Sequence, residues 1–79
     1  MRVRVQLYGT LSLRVPGYEH SRGMEIELAE GATIKDLLDH LKISESQGAV
    51  VTIGGRIRKA GDKIPDGVHA RVFQSVHGG

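Results

Sequence analysis

The chain has no cysteine and no tryptophan. The first absence excludes disulfides, thiolate zinc sites and a cysteine nucleophile. The second, with only two tyrosines and one phenylalanine, removes the aromatic ladder on which single-stranded nucleic acids stack. No apolar run approaches the ~20 residues that span a bilayer. The opening Met1-Arg2-Val3-Arg4 leads into no signal-type apolar stretch. These absences together give the expectation of a cytoplasmic protein. At 79 residues and 39% hydrophobic, the chain reads as one small domain held by packing and sheet pairing alone.

Charge of one sign is also scarce: the formal net charge is +2, too small to indicate a nucleic-acid binder. Its distribution is uneven. Residues 1–18 carry +3, residues 19–45 carry −4 and residues 46–79 carry +3. Such blocks can steer a partner, although for the middle block a solvated polar surface is the simpler reading.

Alternation organises the first third. Val3, Val5 and Leu7 alternate with Arg2, Arg4 and Gln6, which predicts a strand with one buried face. Leu11, Leu13 and Val15 repeat the pattern and predict a second strand, closed by Pro16-Gly17. Tyr18 to Gly23 reads as a polar loop. Met24, Ile26 and Leu28 alternate with Glu25 and Glu27, predicting a strand antiparallel to the first.

The period then changes. Ile34, Leu37, Leu38 and Leu41 fall on one helical face, behind Thr33 as N-cap and Asp36 three residues on. The predicted helix ends near Lys42. Ala49–Ile53 reads as a central strand, Gly54-Gly55 as a tight turn and Arg56–Arg58 as a short return strand. Ile64-Pro65-Asp66-Gly67 has turn chemistry, and Ala70 and Val72 mark a last strand. The fold class is α+β: a mixed sheet of four to five strands with one main helix packed across it. The expected core is Val3, Val5, Leu7, Met24, Ile26, Leu28, Ile34, Leu37, Leu38, Leu41, Val51, Ile53 and Val72.

Few residues offer chemistry. His20, His40, His69 and His77 show no metal-ligand spacing, and no serine sits in a nucleophile elbow. No metal and no bound cofactor are expected. Gly54-Gly55 lacks the Lys-Ser/Thr of a phosphate loop, and Arg56–Lys59 reads as an edge kept soluble by charge. There remains the close of the sequence, Phe73-Gln74-Ser75-Val76-His77-Gly78-Gly79. It reads either as an ordinary chain end or as a slim tail that threads into another protein's site. Six extended residues beyond Phe73 would reach ~20 Å. A terminal carboxylate is ionised at neutral pH and needs activation, as by a mixed anhydride with AMP, before it reacts.

In these features the sequence resembles the MoaD/ThiS family of small sulfur carriers, which share the ubiquitin-like β-grasp fold. The resemblance rests on Val3–Gly9, on Glu30-Gly31-Ala32-Thr33-Ile34-Lys35-Asp36-Leu37-Leu38, on Val51-Thr52-Ile53-Gly54-Gly55, on Asp66-Gly67 and on Val72-Phe73 through Gly78-Gly79. It implies one β-grasp domain over residues 1–79 with a flexible tail at about 75–79. It implies a co-substrate rather than an enzyme, with the small subunit of a sulfurtransferase such as molybdopterin synthase as one form of that role. Gly79 would be adenylated and then carry sulfur as a thiocarboxylate, with Gly78 keeping the tail slim. Phe73, Val76, His77 and Tyr8 would meet the partners. Those partners would be a ubiquitin-activating-type adenylating enzyme using ATP and Mg, a persulfide donor and a sulfur-accepting synthase subunit. Family features point to both the molybdopterin and the thiamine-thiazole branches, so the recipient stays open. The alternatives are a ubiquitin-like modifier conjugated through Gly79 and a non-catalytic β-grasp binding module.

Overall fold

The computed structural model describes residues 1–43 and 48–74. Five strands and one α-helix follow in chain order: β1 (Arg2–Leu7), β2 (Met24–Glu27), α1 (Ile34–Leu41), β3 (Ala49–Ile53), β4 (Arg56–Arg58) and β5 (His69–Gln74). A 3₁₀ helix, Gly9–Arg14, lies between β1 and β2. The strands form one mixed sheet in the order β2-β1-β5-β3-β4. β1 pairs antiparallel with β2 and parallel with β5, and β3 is antiparallel to both β5 and β4. This is the expected α+β architecture, with β5 at the centre and β3 one place off it.

The period-two alternation of β1 is realised fully: Val3, Val5 and Leu7 are completely buried. With Ile26, Val51, Ile53, Ala70 and Val72 they join one core with Ile34, Leu37, Leu38 and Leu41 of α1. Eight residues make a helix that is marginal on its own, so this face supplies most of its stability. Its ends are closed locally. Thr33 and Asp36 form a reciprocal capping box. The same hydrogen bonds to Thr33 lower the pKa of Asp36 below its ordinary 3.8. Asp62 and Ala60 carbonyls accept from the amides of Ile34 and Lys35, satisfying two donors that every helix N-terminus leaves open. At the other end Lys42 adopts a left-handed conformation, and Ile43 donates to Leu38 O at 2.9 Å. That six-to-one bond buries Ile43 under the last turn, as in a Schellman ending.

Two expectations need correction. Leu11–Val15 is not a strand. Both edges of β1 are already taken, by β2 and β5, so a further strand has no partner there. Gly9 turns the chain with φ 64°, and of the three alternating residues only Leu11 is buried, while Leu13 is 82% exposed. Met24 and Leu28, expected in the core, pack against its margin and are partly buried. Leu11, Ile43, Ile64 and Ala70 complete the core instead.

Glycine matters most at two places. Gly54 and Gly55, with φ 61° and 79°, make the two-residue turn of the β3–β4 hairpin, where primed turns require positive φ. At Gly23 (φ +67°) a Cβ would lie 2.7 Å from Val5 O, so the chain enters β2 through a gap only glycine fits.

Leu38, 2% exposed on the helix face, gives a direct test of this packing. Leu38→Ala should lower stability by about 2–5 kcal/mol, read as an earlier urea midpoint at constant m-value. An unchanged midpoint would contradict the helix–sheet core.

Candidate functional site

The sheet has two unlike faces. One is covered by α1. The other follows from strict alternation and the strand register. Arg4 lies opposite Glu25 and His69. Gln6 lies opposite Arg71, Arg71 opposite Thr52, and Thr52 opposite Ile57. Phe73 lies opposite Val50. Ile57 is 73% exposed, large for an apolar side chain on a strand.

At the β5 end of this face the aromatic residues meet. Tyr8 stacks on Phe73 with ring centroids 4.4 Å apart and planes 18° from parallel. His20 meets Tyr8 edge-on at 4.9 Å. The loop after the 3₁₀ helix brings His20 there: Gln6 Nε2 donates to His20 O at 2.8 Å, and the Leu7 amide donates to Tyr18 Oη at 2.7 Å. Tyr8 and Phe73 are each half-buried, not fully exposed. They shield one another and still present ring surface.

The charges on this face are sorted. Arg2 and Arg4 pair with Glu25 and Glu27, at 3.0 Å for Arg4–Glu25 and 3.5 Å for Arg2–Glu27. These are exposed pairs of small energetic weight, and they neutralise the β1–β2 side. Arg71 makes no ion pair among the described residues. The pKa of His69 is pushed down by partial burial first, then by the positive charges of Arg71 and Arg4. The Arg71 guanidinium therefore stands on the centre of this face without an ion-pair partner among the described residues, beside an aromatic patch.

Of the residues singled out in the sequence, the structure brings Tyr8 and Phe73 into contact. Val76, His77, Gly78 and Gly79 lie outside the described residues, beyond the end of β5. His20, Arg71 and Ile57 were not singled out. The signal for Arg71 and Ile57 lay in the alternation of β5 and β4, which sets their face once the strand order is known. His20 arrives through loop hydrogen bonds that no pattern announces. Among the described residues, no group of three His, Asp or Glu side chains could hold a metal ion, and no helix is long and apolar enough to cross a membrane.

Two effects on this face are measurable. A double-mutant cycle on Tyr8→Ala and Phe73→Ala should give a coupling of about 0.5–1.5 kcal/mol, and additivity would contradict the stack. For His69, the lowered native pKa means that the unfolded chain binds more protons in the window just below 6.5. Stability should therefore rise with pH through that window. His69→Gln should flatten this part of the stability–pH curve, whereas an unaltered slope would remove His69 as its source.

No protein-family model matches the chain, and no curated protein matches it. Solved structures do. A protein from Pyrococcus furiosus described as molybdopterin converting factor, subunit 1, superposes with a TM-score of 0.77 at 22% identity, over 96% of this chain and 99% of that one. SAMP1 from Haloferax volcanii gives 0.75 at 18% identity over the whole of both chains. A second structure, of H. volcanii small archaeal modifier protein 1, gives 0.75 at 17% identity, over 95% of this chain and 98% of that one. The likeness runs through every strand and the helix, so the chain has the ubiquitin-like β-grasp fold of these proteins.

Proposed function

We propose that the protein is a sulfur carrier. Its fold serves as a recognition handle, and its reactive group is the carboxylate of Gly79. The observation that carries this reading is the end-to-end likeness in fold to a protein described as a molybdopterin converting factor subunit. The open sheet face supports it, because the Tyr8–Phe73 stack and Arg71 stand on or beside the strand that leads into the last five residues.

The chemistry is as follows. In the active site of a ubiquitin-activating-type partner, a Gly79 carboxylate oxygen attacks the α-phosphorus of ATP. A C–O–P anhydride forms and Mg-bound pyrophosphate leaves. The terminal sulfur of a persulfide then attacks the acyl carbon, and AMP leaves with the C–O bond electrons. A thiol finally cleaves the S–S bond, giving a disulfide on the donor side and a thiocarboxylate on Gly79. A synthase subunit accepts that sulfur, in pterin dithiolene or thiazole formation. The ATP and Mg belong to the partner, this chain binds no cofactor of its own, and it acts as co-substrate in the cytoplasm. Gly78, His77 and Val76 pass into the partner with the tail, while Phe73 and Tyr8 dock on its surface.

A second reading has support of its own in the comparable likeness in fold to SAMP1. In it the same acyl-adenylate is captured by a lysine amine of another protein. One experiment separates the two. The protein is incubated with ATP, magnesium, a persulfide source and the activating enzyme of its own organism, and its intact mass is read. Exchange of one terminal oxygen for sulfur is the expected result, and a variant lacking Gly79 should show none. Isopeptide-linked adducts without thiocarboxylate would favour the modifier. An unmodified carboxylate, with the enzyme proven competent on another carrier, would leave a binding module.

A further inference from the structure

One edge of the sheet completes a charge pattern that the other edge repeats and leaves open. In β1, Arg2, Val3 and Arg4 lie opposite Glu27, Ile26 and Glu25 of β2. Alternation puts both arginines and both glutamates on one face. They close as ion pairs, Arg4–Glu25 at 3.0 Å and Arg2–Glu27 at 3.5 Å. β4 has the same pattern as β1, Arg56-Ile57-Arg58. It is an end strand with β3 on its inner side, and among the described residues no acidic strand lies on its outer side. Arg56 and Arg58 lie opposite Ile53 and Val51, and Ile57 opposite Thr52. The arginines therefore share one face, and Ile57 stands on the other at 73% exposure. Neither arginine has an ion pair among the described residues. Asp62, the acid closest in sequence, accepts from the Lys59 amide at 2.8 Å instead. Arg58 is half-buried, and its Nε is shielded from water without a hydrogen-bond acceptor. A shielded cationic donor is costly until an acceptor reaches it. The backbone is open as well. Ile53 and Arg56 close the two-residue turn as a hydrogen-bonded pair, so alternation along the ladder turns the Ile57 amide and carbonyl outwards.

We propose that the outer edge of β4 binds an extended segment of another protein, one in which two acidic residues flank an apolar residue, as a sixth and antiparallel strand. Its backbone pairs with Ile57, and its apolar side chain lies beside that of Ile57. Its two carboxylates face Arg56 and Arg58, as Glu27 and Glu25 face Arg2 and Arg4. The edge is unsuited to a copy of itself. Two β4 strands paired antiparallel about Ile57 would set Arg56 against Arg58, and like charges directly opposite repel. The acids of another copy's β2 are already engaged by Arg2 and Arg4. The site lies two strands from Phe73 in the sheet order, and the inference does not depend on the role of Gly79.

The probe is the acetylated, amidated peptide Thr-Val-Glu-Ile-Glu-Val-Thr, titrated into isotope-labelled protein and followed by amide NMR. Shifts should centre on residues 56–59, and exchange of the Ile57 amide should slow at saturation. The same peptide N-methylated at its isoleucine keeps every side chain and loses the donor to Ile57 O, so it should produce neither effect. Combining Arg56→Glu with Arg58→Glu should weaken the glutamate peptide about tenfold, because two cross-strand pairs change from opposite to like charge. That variant should instead prefer the peptide with lysine in place of glutamate. The methylated peptide tests the edge on the unsubstituted protein, whatever the folding of the variant. Shifts centred away from β4, an equal response to the methylated peptide, or equal affinity for an isomer with its glutamates adjacent would overturn the proposal. Shifts at β4 that appear on concentrating the protein alone would also overturn it, since the occupant would then be a second copy.

Discussion

Everything else in the molecule depends on the parallel pairing of β1 with β5. It joins the first strand of the chain to the last, with Arg4 opposite His69 and Leu7 opposite Val72. A parallel pair needs a long crossover, and here the connection runs through the 3₁₀ helix, β2, α1, β3 and β4. The pairing makes β5 the middle strand, flanked by β1 and β3, and buries Ala70 and Val72 completely. Because the two strands run the same way, their ends emerge together. That brings Tyr8 beside Phe73 and Thr10 beside Gln74. A fold that hid its last strand at an edge would offer neither contact.

The sheet then divides stability from recognition. The core between α1 and the sheet is apolar, and among the described residues no polar or charged residue is buried. Hydrophobic burial there is non-directional, and alternation orients it, since a one-residue slip would turn every core side chain outward. The open face holds the Arg–Glu pairs, Arg71, Ile57 and the aromatic stack, where substitution leaves the core intact. Such a surface would suit the proposed carrier role, in which successive partners grip the same body. Loss of the core and loss of the open face should therefore be separable by mutation.

Much of this was legible in the residues. The strict alternation of β1, the capped four-residue helix face and the Gly54-Gly55 turn each announce their element, because local propensity and burial agree there. The positions of Tyr8 and Phe73 at the ends of the first and last strands were legible. Their mutual stacking was not, because it depends on the parallel register. Leu11, Leu13 and Val15 misled because alternation marks a strand only where a free sheet edge exists to receive it, and β1 has none. Ile43 and Ile64 are single apolar residues outside any periodic run. Their burial comes from the helix C-terminus and from the Ile64 amide donating to Ala32 O, tertiary contacts that no window of sequence contains. His20 escaped for the same reason.

The central claim is that this fold exists to present the Gly79 carboxylate for sulfur loading. It is tested most directly on protein isolated from the cells that make it, by fragment mass spectrometry of the peptide containing Gly79. The account predicts a chain that ends at Gly79 with one terminal oxygen replaced by sulfur in part of the population, and loss of that species when the cell's activating enzyme is removed. A chain that continues past Gly79, or an oxygen-only terminus whose amount does not respond to that enzyme, would contradict it.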